Sequence, residues 1–179
     1  MGHAITVVTG PARSGKSRWA EHLAQVSGLE VTYVATGASG ADDSLWQARL
    51  ALHRQRRPSA WGCLEVGFGL AESLSTFGTD SLALVDSLGS WVAHGLELDA
   101  EAWEQQCQRL LRAMDSCQGT VIVVSEQAGW GVVPPTAIGG LFRDRLGELE
   151  QQVMASATSG WLVVAGRALD LLTSSVAVP

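Results

Sequence analysis

The chain's single lysine stands in Gly10-Pro11-Ala12-Arg13-Ser14-Gly15-Lys16-Ser17, which satisfies G-x-x-x-x-G-K-[ST] in full. Glycines in such a loop let successive backbone N–H groups turn inward around a phosphate, at a helix N-terminus whose dipole favours negative charge. Lys16 adds a mobile cation for the β- and γ-phosphates. Ser17 has the hydroxyl to ligate a magnesium ion that bridges those same oxygens. The chemistry indicated is nucleoside triphosphate binding and transfer, with all eight residues as the cradle and Lys16 as a catalytic group. A chance glycine-rich turn is the competing explanation, and context answers it. The apolar run Ala4-Ile5-Thr6-Val7-Val8-Thr9 before the loop reads as a buried strand, and the periodic stretch Ser17–Val26 after it reads as a helix.

Two further strand ends could serve the same site. Leu82-Ala83-Leu84-Val85-Asp86 is an apolar strand closing on an acid, the position of a magnesium-orienting aspartate in a phosphate-loop protein, so Asp86 is assigned with Ser17 to the metal. Capping of the Ser87-Leu88-Gly89 turn is the alternative role for that acid. Val121–Val124 runs into Ser125-Glu126-Gln127 and brings polar groups to the same carboxyl edge of the sheet, where ligands sit in open α/β folds.

A second chemical signal lies in Arg49-Leu50-Ala51-Leu52-His53-Arg54-Gln55-Arg56-Arg57-Pro58, with four of the chain's twelve cationic residues inside nine positions. On a helix, His53 shares a face with Arg49, Arg56 and Arg57, a guanidinium stripe suited to a polyphosphate. Neighbouring cations favour the neutral imidazole, whose free nitrogen can attack phosphorus. On spacing alone a solvated basic face with an incidental histidine accounts for the stripe better than a nucleophile does. His3 is terminal, His22 falls within the first helix, and His94 follows Trp91-Val92-Ala93. No histidine pair has metal-ligand spacing with a carboxylate. Of seven tryptophans, Trp46, Trp61 and Trp130 fall in or beside the suspected ligand loops, although packing explains most such residues.

These groups must be held by a frame, and 179 residues suffice for one domain with one sizeable core, taken here as residues 1–179. Strand-like runs at Ile5–Thr9, Val31–Ala35, Leu82–Val85, Val121–Val124 and Trp161–Ala165 alternate with helical patterns at Ser17–Val26, Ser44–Arg57, Leu70–Phe77, Ala100–Cys117 and Gly140–Ala157. That alternation specifies an α/β fold of the phosphate-loop NTPase type: a mainly parallel sheet with helices on both faces. Gly37–Asp43, the Trp61–Gly69 connection and the tail after Asp170 read as weakly structured. A net charge of −6 argues against nucleic acid or an anionic membrane as partner. Cys63, Cys107 and Cys117 signal neither disulfides nor zinc, and suit a reducing compartment. No leader is visible, no apolar run approaches a membrane span of about 20 residues, and Met1-Gly2 leads into a strand rather than a myristoylation site. The expectation is a cytoplasmic protein.

Taken together, these segments resemble the bifunctional adenosylcobinamide kinase/adenosylcobinamide-phosphate guanylyltransferases of cobalamin biosynthesis. The resemblance rests on Val8 to Arg18, Tyr33-Val34-Ala35-Thr36, Arg49-Leu50 with His53-Arg54 and Arg57-Pro58, Trp61, Glu65, and Val85-Asp86-Ser87-Leu88 with Trp91. It continues through Val124-Ser125, Gly129-Trp130-Gly131-Val132-Val133-Pro134, Phe142-Arg143-Asp144, Gly147, Gln151 and Trp161 to Gly166. It implies a RecA-like fold and two steps. ATP or GTP phosphorylates the aminopropanol hydroxyl of adenosylcobinamide, and GTP then guanylylates a histidine, matched by His53, which passes GMP to the new phosphate. It also implies a magnesium cofactor, a ring-like homotrimer, and a nucleotide site that takes in Arg49, Arg54, Arg57, Glu65 and Asp86. In-line phosphoryl transfer compels no dedicated base, and Glu65 and Asp86 are the candidate acceptors of the hydroxyl proton, between which the sequence does not choose. The chain departs from the family pattern in Ser125-Glu126-Gln127-Ala128-Gly129, where Ser-Asn-Glu-Val-Gly is usual, in Leu45 for an acid, and in Glu150-Gln151 for Asn-Gln. A simple small-metabolite kinase, or a GTP-dependent switch that transfers nothing, would share the loop but leave the His-Arg helix without a role.

Overall fold

A computed structural model describes residues 4–37, 57–131 and 133–178. The chain forms β1 (Ala4–Gly10), α1 (Lys16–Val26), β2 (Glu30–Ala35), β3 (Gly62–Glu65), α2 (Leu70–Leu74), β4 (Ser81–Asp86) and α3 (Leu88–His94). It continues with α4 (Ala100–Ser116), β5 (Thr120–Glu126), a 3₁₀ turn at Ala128–Trp130, α5 (Ala137–Ala155), β6 (Ser159–Val164), β7 (Arg167–Asp170) and α6 (Leu171–Ser174). The helix expected over Ser44–Arg57 lies outside the described residues except at Arg57, and with it Leu45, Trp46, Arg49, His53 and Arg54.

The strands make one seven-stranded sheet in the order β3-β2-β4-β5-β1-β6-β7. Every pairing is parallel but the last, where β6 and β7 run antiparallel. The central strands are continuous β-branched and leucine runs because both of their faces are covered. One face, with Ile5, Val7, Ala83, Val85, Val121 and Val123, packs under α2, α3, α4 and α5. The other face, with Val8, Leu82, Leu84, Ile122 and Val124, packs under Ala20 and Ala24 of α1. Helices on both faces of a mostly parallel sheet match the expected class. Among the described residues no helix is long and apolar enough to cross a membrane.

Four elements, β3, α3, β7 and α6, correct or add to the sequence reading. Residues 62–65 of the supposed Trp61–Gly69 connection form β3, an edge strand whose residues are all exposed, so no hydrophobic run marks it. The tail after Asp170 begins with α6, where Asp170 Oδ1 accepts from the N–H groups of Leu172 and Thr173 at 3.0 and 3.1 Å. A helix absent from the sequence reading, α3, starts where the Ser87 side chain accepts the Ser90 N–H at 3.3 Å. The helix expected to Phe77 stops at Leu74, and the one expected from Gly140 begins at Ala137, capped by Thr136.

Candidate nucleotide site

The loop between β1 and α1 is held by short-range bonds. Ser14 N–H donates to Pro11 O at 3.3 Å, Lys16 N–H to Ser14 Oγ at 3.3 Å, and Trp19 N–H to Gly15 O at 3.0 Å. Two positions demand glycine. A Cβ on Gly10 would stand 2.2 Å from Val163 O, and Gly15 has φ 102°. Arg13 also takes the left-handed region, φ 58°, a conformation costing a non-glycine residue on the order of 1 kcal/mol. Lys16 is only 4% exposed, and its ammonium donates to Pro11 O at 3.3 Å. The fold thus presents Gly10 to Ser17 as one compact cradle at the N-terminus of α1, as the motif requires.

Two carboxylates close the strands on one side of that cradle, one on β5 beside β1 and one on β4 a strand further out. Asp86 closes β4, and Tyr33 Oη donates to its Oδ2 at 2.8 Å. Burial foremost, then the Asp86 charge, hold the Tyr33 phenol well above its usual range, so it remains a donor. Glu126 closes β5 in register with Gly10. Its Oε2 accepts the Gly89 N–H at 3.0 Å, and the Ser87 hydroxyl also bonds it. Burial raises its proton affinity most, and the Asp86 charge adds to that. The Ser87 bond, the Lys16 ammonium and the Gly89 N–H oppose it without cancelling it. Lys16 and Asp86 therefore both act electrostatically on Glu126. Glu126 was legible as a polar strand end but was not placed among the site residues, although it repeats the strand-then-acid pattern that pointed to Asp86.

Glu65 and Arg57 lie further out. Glu65 ends β3 beside Ala35, so three strands, β2, β4 and β5, separate it from β1, about 19 Å at ~4.8 Å per strand step. The Arg57 guanidinium lies 3.3 Å from the centroid of the Tyr33 ring, and its Nη1 meets Cys63 Sγ at 3.6 Å. Through Tyr33 it is one step from Asp86, which ties the end of the arginine-rich segment to the mouth of the sheet. His94 is a packing residue, its Nε2 2.8 Å from Thr36 O.

A third cluster had no sequence signal beyond the departures already noted. Glu150, on α5, accepts from the Thr9 hydroxyl at 3.0 and 3.1 Å, and also from the Ser125 hydroxyl and the Gln127 amide. Gln127 Nε2 also donates to Thr9 Oγ1 at 2.9 Å, and Gln127 N–H to Gly10 O at 3.0 Å. These bonds bind the ends of β1 and β5 to α5 directly beneath the loop. Burial raises the Glu150 carboxyl above the usual range, against the pull of the three donors.

A magnesium ion fits this donor set. Among the described residues no group of three His, Cys, Asp or Glu could cage a metal. Magnesium in nucleotide sites is held by one or two carboxylates together with phosphate oxygens and water, and Ser17 with Asp86 would supply the protein's share.

Residues 6–171 match the family described as cobinamide kinase/cobinamide phosphate guanyltransferase. The chain is 36% identical over 167 residues to the bifunctional adenosylcobalamin biosynthesis protein CobP of Pseudomonas aeruginosa, covering 92% of this chain and 95% of that one. It is 34% identical over 177 residues to the bifunctional adenosylcobalamin biosynthesis protein CobU of Escherichia coli, covering 90% and 96%. In fold it is similar to an ATPase from the type III secretion system of pathogenic bacteria, TM-score 0.58 at 12% identity, covering 98% of this chain and 59% of that one. It is also similar to the flagellar accessory protein FlaH of Methanocaldococcus jannaschii, TM-score 0.52 at 16% identity, covering 95% and 76%.

Proposed function

The chain belongs to the cobinamide kinase/cobinamide phosphate guanyltransferase family, and from that premise we propose how its residues divide the work of a bifunctional transferase in cobalamin biosynthesis. The enzyme phosphorylates the aminopropanol hydroxyl of adenosylcobinamide with ATP or GTP, then transfers GMP from GTP to give adenosylcobinamide-GDP. The observation that carries this reading is the family match across residues 6–171, joined to a complete phosphate loop with two acids at its mouth. Residues 1–179 act as one catalytic domain.

In the first step the loop N–H groups and Lys16 hold the β- and γ-phosphates and offset the charge that develops as the γ-phosphoryl moves to the hydroxyl. Ser17 and Asp86 would hold magnesium, which neutralises the same oxygens when bound. Glu126, on the strand next to the loop, takes the hydroxyl proton. Its raised affinity for protons makes it a better base than an ordinary carboxylate, and its register with Gly10 favours it over the distant Glu65.

In the second step a neutral nitrogen of His53 attacks the α-phosphorus of GTP. Pyrophosphate leaves with its charge on Arg49, Arg54 and Arg57. An oxygen of adenosylcobinamide phosphate then displaces the histidine from phosphorus. A histidine with its ordinary pKa of about 6.5 is mostly neutral at pH 7.5. We also propose a homotrimer working in the cytoplasm, in keeping with the family resemblance.

The test uses α-labelled GTP with magnesium, denaturation, and a count of protein-bound label in wild type and His53→Ala. Acid-labile label present in wild type and absent from the variant supports the guanylylated histidine. Folded wild type that binds GTP yet retains no label sinks that half of the reading, and γ-label transfer to adenosylcobinamide then decides the kinase half alone.

A further inference from the structure

Along α5 the buried residues Leu146, Leu149 and Val153 mark the face turned toward the sheet. Glu150 falls on that same face, one turn after Leu146 and one before Val153, where an apolar side chain is the rule. A carboxylate in this stripe needs a local reason. The ends of β1 and β5 run side by side there, Thr9 in register with Ser125 and Gly10 with Glu126. Glu150 meets both strands, accepting from the Thr9 hydroxyl on β1, from the Ser125 hydroxyl on β5 and from the Gln127 amide just beyond it.

Every proton in this cluster has an acceptor. The hydroxyl protons of Thr9 and Ser125, both buried, go to Glu150. The Gln127 amide gives one proton to Glu150 and the other to Thr9 Oγ1 at 2.9 Å. An ionised carboxylate only accepts, through two oxygens, whereas a carboxamide has one acceptor oxygen and two donor hydrogens. The cluster therefore calls for one acid and one amide facing each other at positions 127 and 150. Both positions depart from the family pattern, which has an acid at 127 and an amide at 150 where this chain has Gln127 and Glu150. The two departures touch in the structure, and together they exchange acid and amide across one hydrogen bond.

What the cluster holds is the junction of the phosphate loop with the strand that carries Glu126. Thr9 precedes Gly10, the first residue of the cradle, and the N–H of Gln127, the residue after Glu126, donates to Gly10 O at 3.0 Å. A slip of β1 against β5 moves the bound phosphates relative to Glu126, and a misplacement of about 1 Å costs on the order of 10²-fold in rate. We propose that Glu150 is a positioning residue for phosphoryl transfer: clamped to Gln127, it holds the loop and Glu126 in one register, through an acid–amide pair whose polarity is exchangeable. The inference rests on reading the loop and Glu126 as the machinery of a triphosphate-dependent transferase.

The test is a double-mutant cycle of Glu150→Gln, Gln127→Glu and the combined exchange. Its readouts are the affinity for magnesium tripolyphosphate by calorimetry, and kcat and KM for phosphorylation of adenosylcobinamide, each referred to folded protein by thermal melts. Glu150→Gln leaves one acceptor oxygen for three donors, and Gln127→Glu sets two carboxylates against each other. Each single change should lower tripolyphosphate affinity and kcat by about tenfold, with KM for adenosylcobinamide within about twofold, and the exchange should recover both to within about threefold. Should Gln127→Glu not fold, Glu150→Gln and the exchange carry the comparison. Single variants that shift only the melting temperature overturn the proposal, and so does an exchange that performs no better than Glu150→Gln. If the wild type leaves adenosylcobinamide unmodified, the proposed reaction fails, while loss and recovery of tripolyphosphate affinity still decide the clamp. Turnover of adenosylcobinamide that no variant impairs keeps the reaction and refutes the clamp.

Discussion

A carboxyl group withdrawn from water holds its proton to higher pH, and Glu126 is withdrawn while still touching Lys16 and Asp86 electrostatically. Glu126→Gln keeps an oxygen for the Gly89 N–H and removes the titratable charge. If the proton of the acceptor hydroxyl goes to Glu126, the variant loses about 10²-fold in kcat for phosphoryl transfer, and the acid limb of its pH profile disappears. His53 labelling by GTP should persist. A purely structural carboxylate would leave the pH profile in place, which profiles of both proteins would reveal. Legibility at this scale followed spacing. The loop residues are contiguous, so the motif alone named them, and Asp86 announced itself as a strand-end acid. Glu126 carried that same mark. Glu150 had none, because its partners Gln127, Ser125 and Thr9 lie 23, 25 and 141 residues away in the chain.

Elements place these groups through close approach of backbone to backbone. At Gly10 a methyl group would meet the Val163 carbonyl at 2.2 Å, so Gly10→Ala must push β1 from β6. Such overpacking costs about 1–3 kcal/mol, and thermal melts should show it together with loss of tripolyphosphate binding. Gly89→Ala tests a different coupling. Its methyl group would stand 2.4 Å from Glu126 Oε2, the free end of a side chain. The helix gains roughly 1 kcal/mol of propensity from alanine, so the melting temperature should barely change while phosphoryl transfer falls nearly as far as in Glu126→Gln. A normal rate in a normally stable Gly89→Ala protein would separate the start of α3 from the chemistry. The central strands were readable because burial on both faces writes an unbroken apolar run. β3 and β7 were not, since their exposed edge positions carry no such run, and what makes them strands is pairing with β2 and β6.

The whole molecule sorts its reactive groups by depth. Cys63 is exposed, whereas Cys107 is buried on the inner face of α4 and its thiol is pushed up to about 12, chiefly by desolvation; Cys117 is buried and shifted the same way. Iodoacetamide at pH 8 should therefore add one group to the native protein, at Cys63, and three after denaturation. Native labelling of Cys107, read by peptide mass, would mean that the helical layer over this face opens readily. Parallel-sheet class, acidic surface and two-faced helical cover all follow from composition and alternation. The joining of α5 to the loop through Glu150 does not, being a property of the assembled sheet.

Glu126 and Glu150 also set how the molecule responds to pH. Both bind protons more tightly folded than unfolded, because burial penalises their charge. Between the ordinary glutamate range and their raised folded values the native state therefore holds more protons than the unfolded chain, and stability falls as pH rises through that window. The contribution is complete below about pH 4, where both states are protonated at these sites. Glu150→Gln removes one source of the fall while keeping an acceptor for the Thr9 and Ser125 hydroxyls. Its melting temperature should exceed that of wild type at pH 8 by a few degrees, about 1 kcal/mol, with the gap closing toward pH 4.5. A variant less stable than wild type at every pH would mean that the carboxylate's hydrogen bonds outweigh the cost of its burial, and that Glu150 fastens α5 to the loop as a charged group.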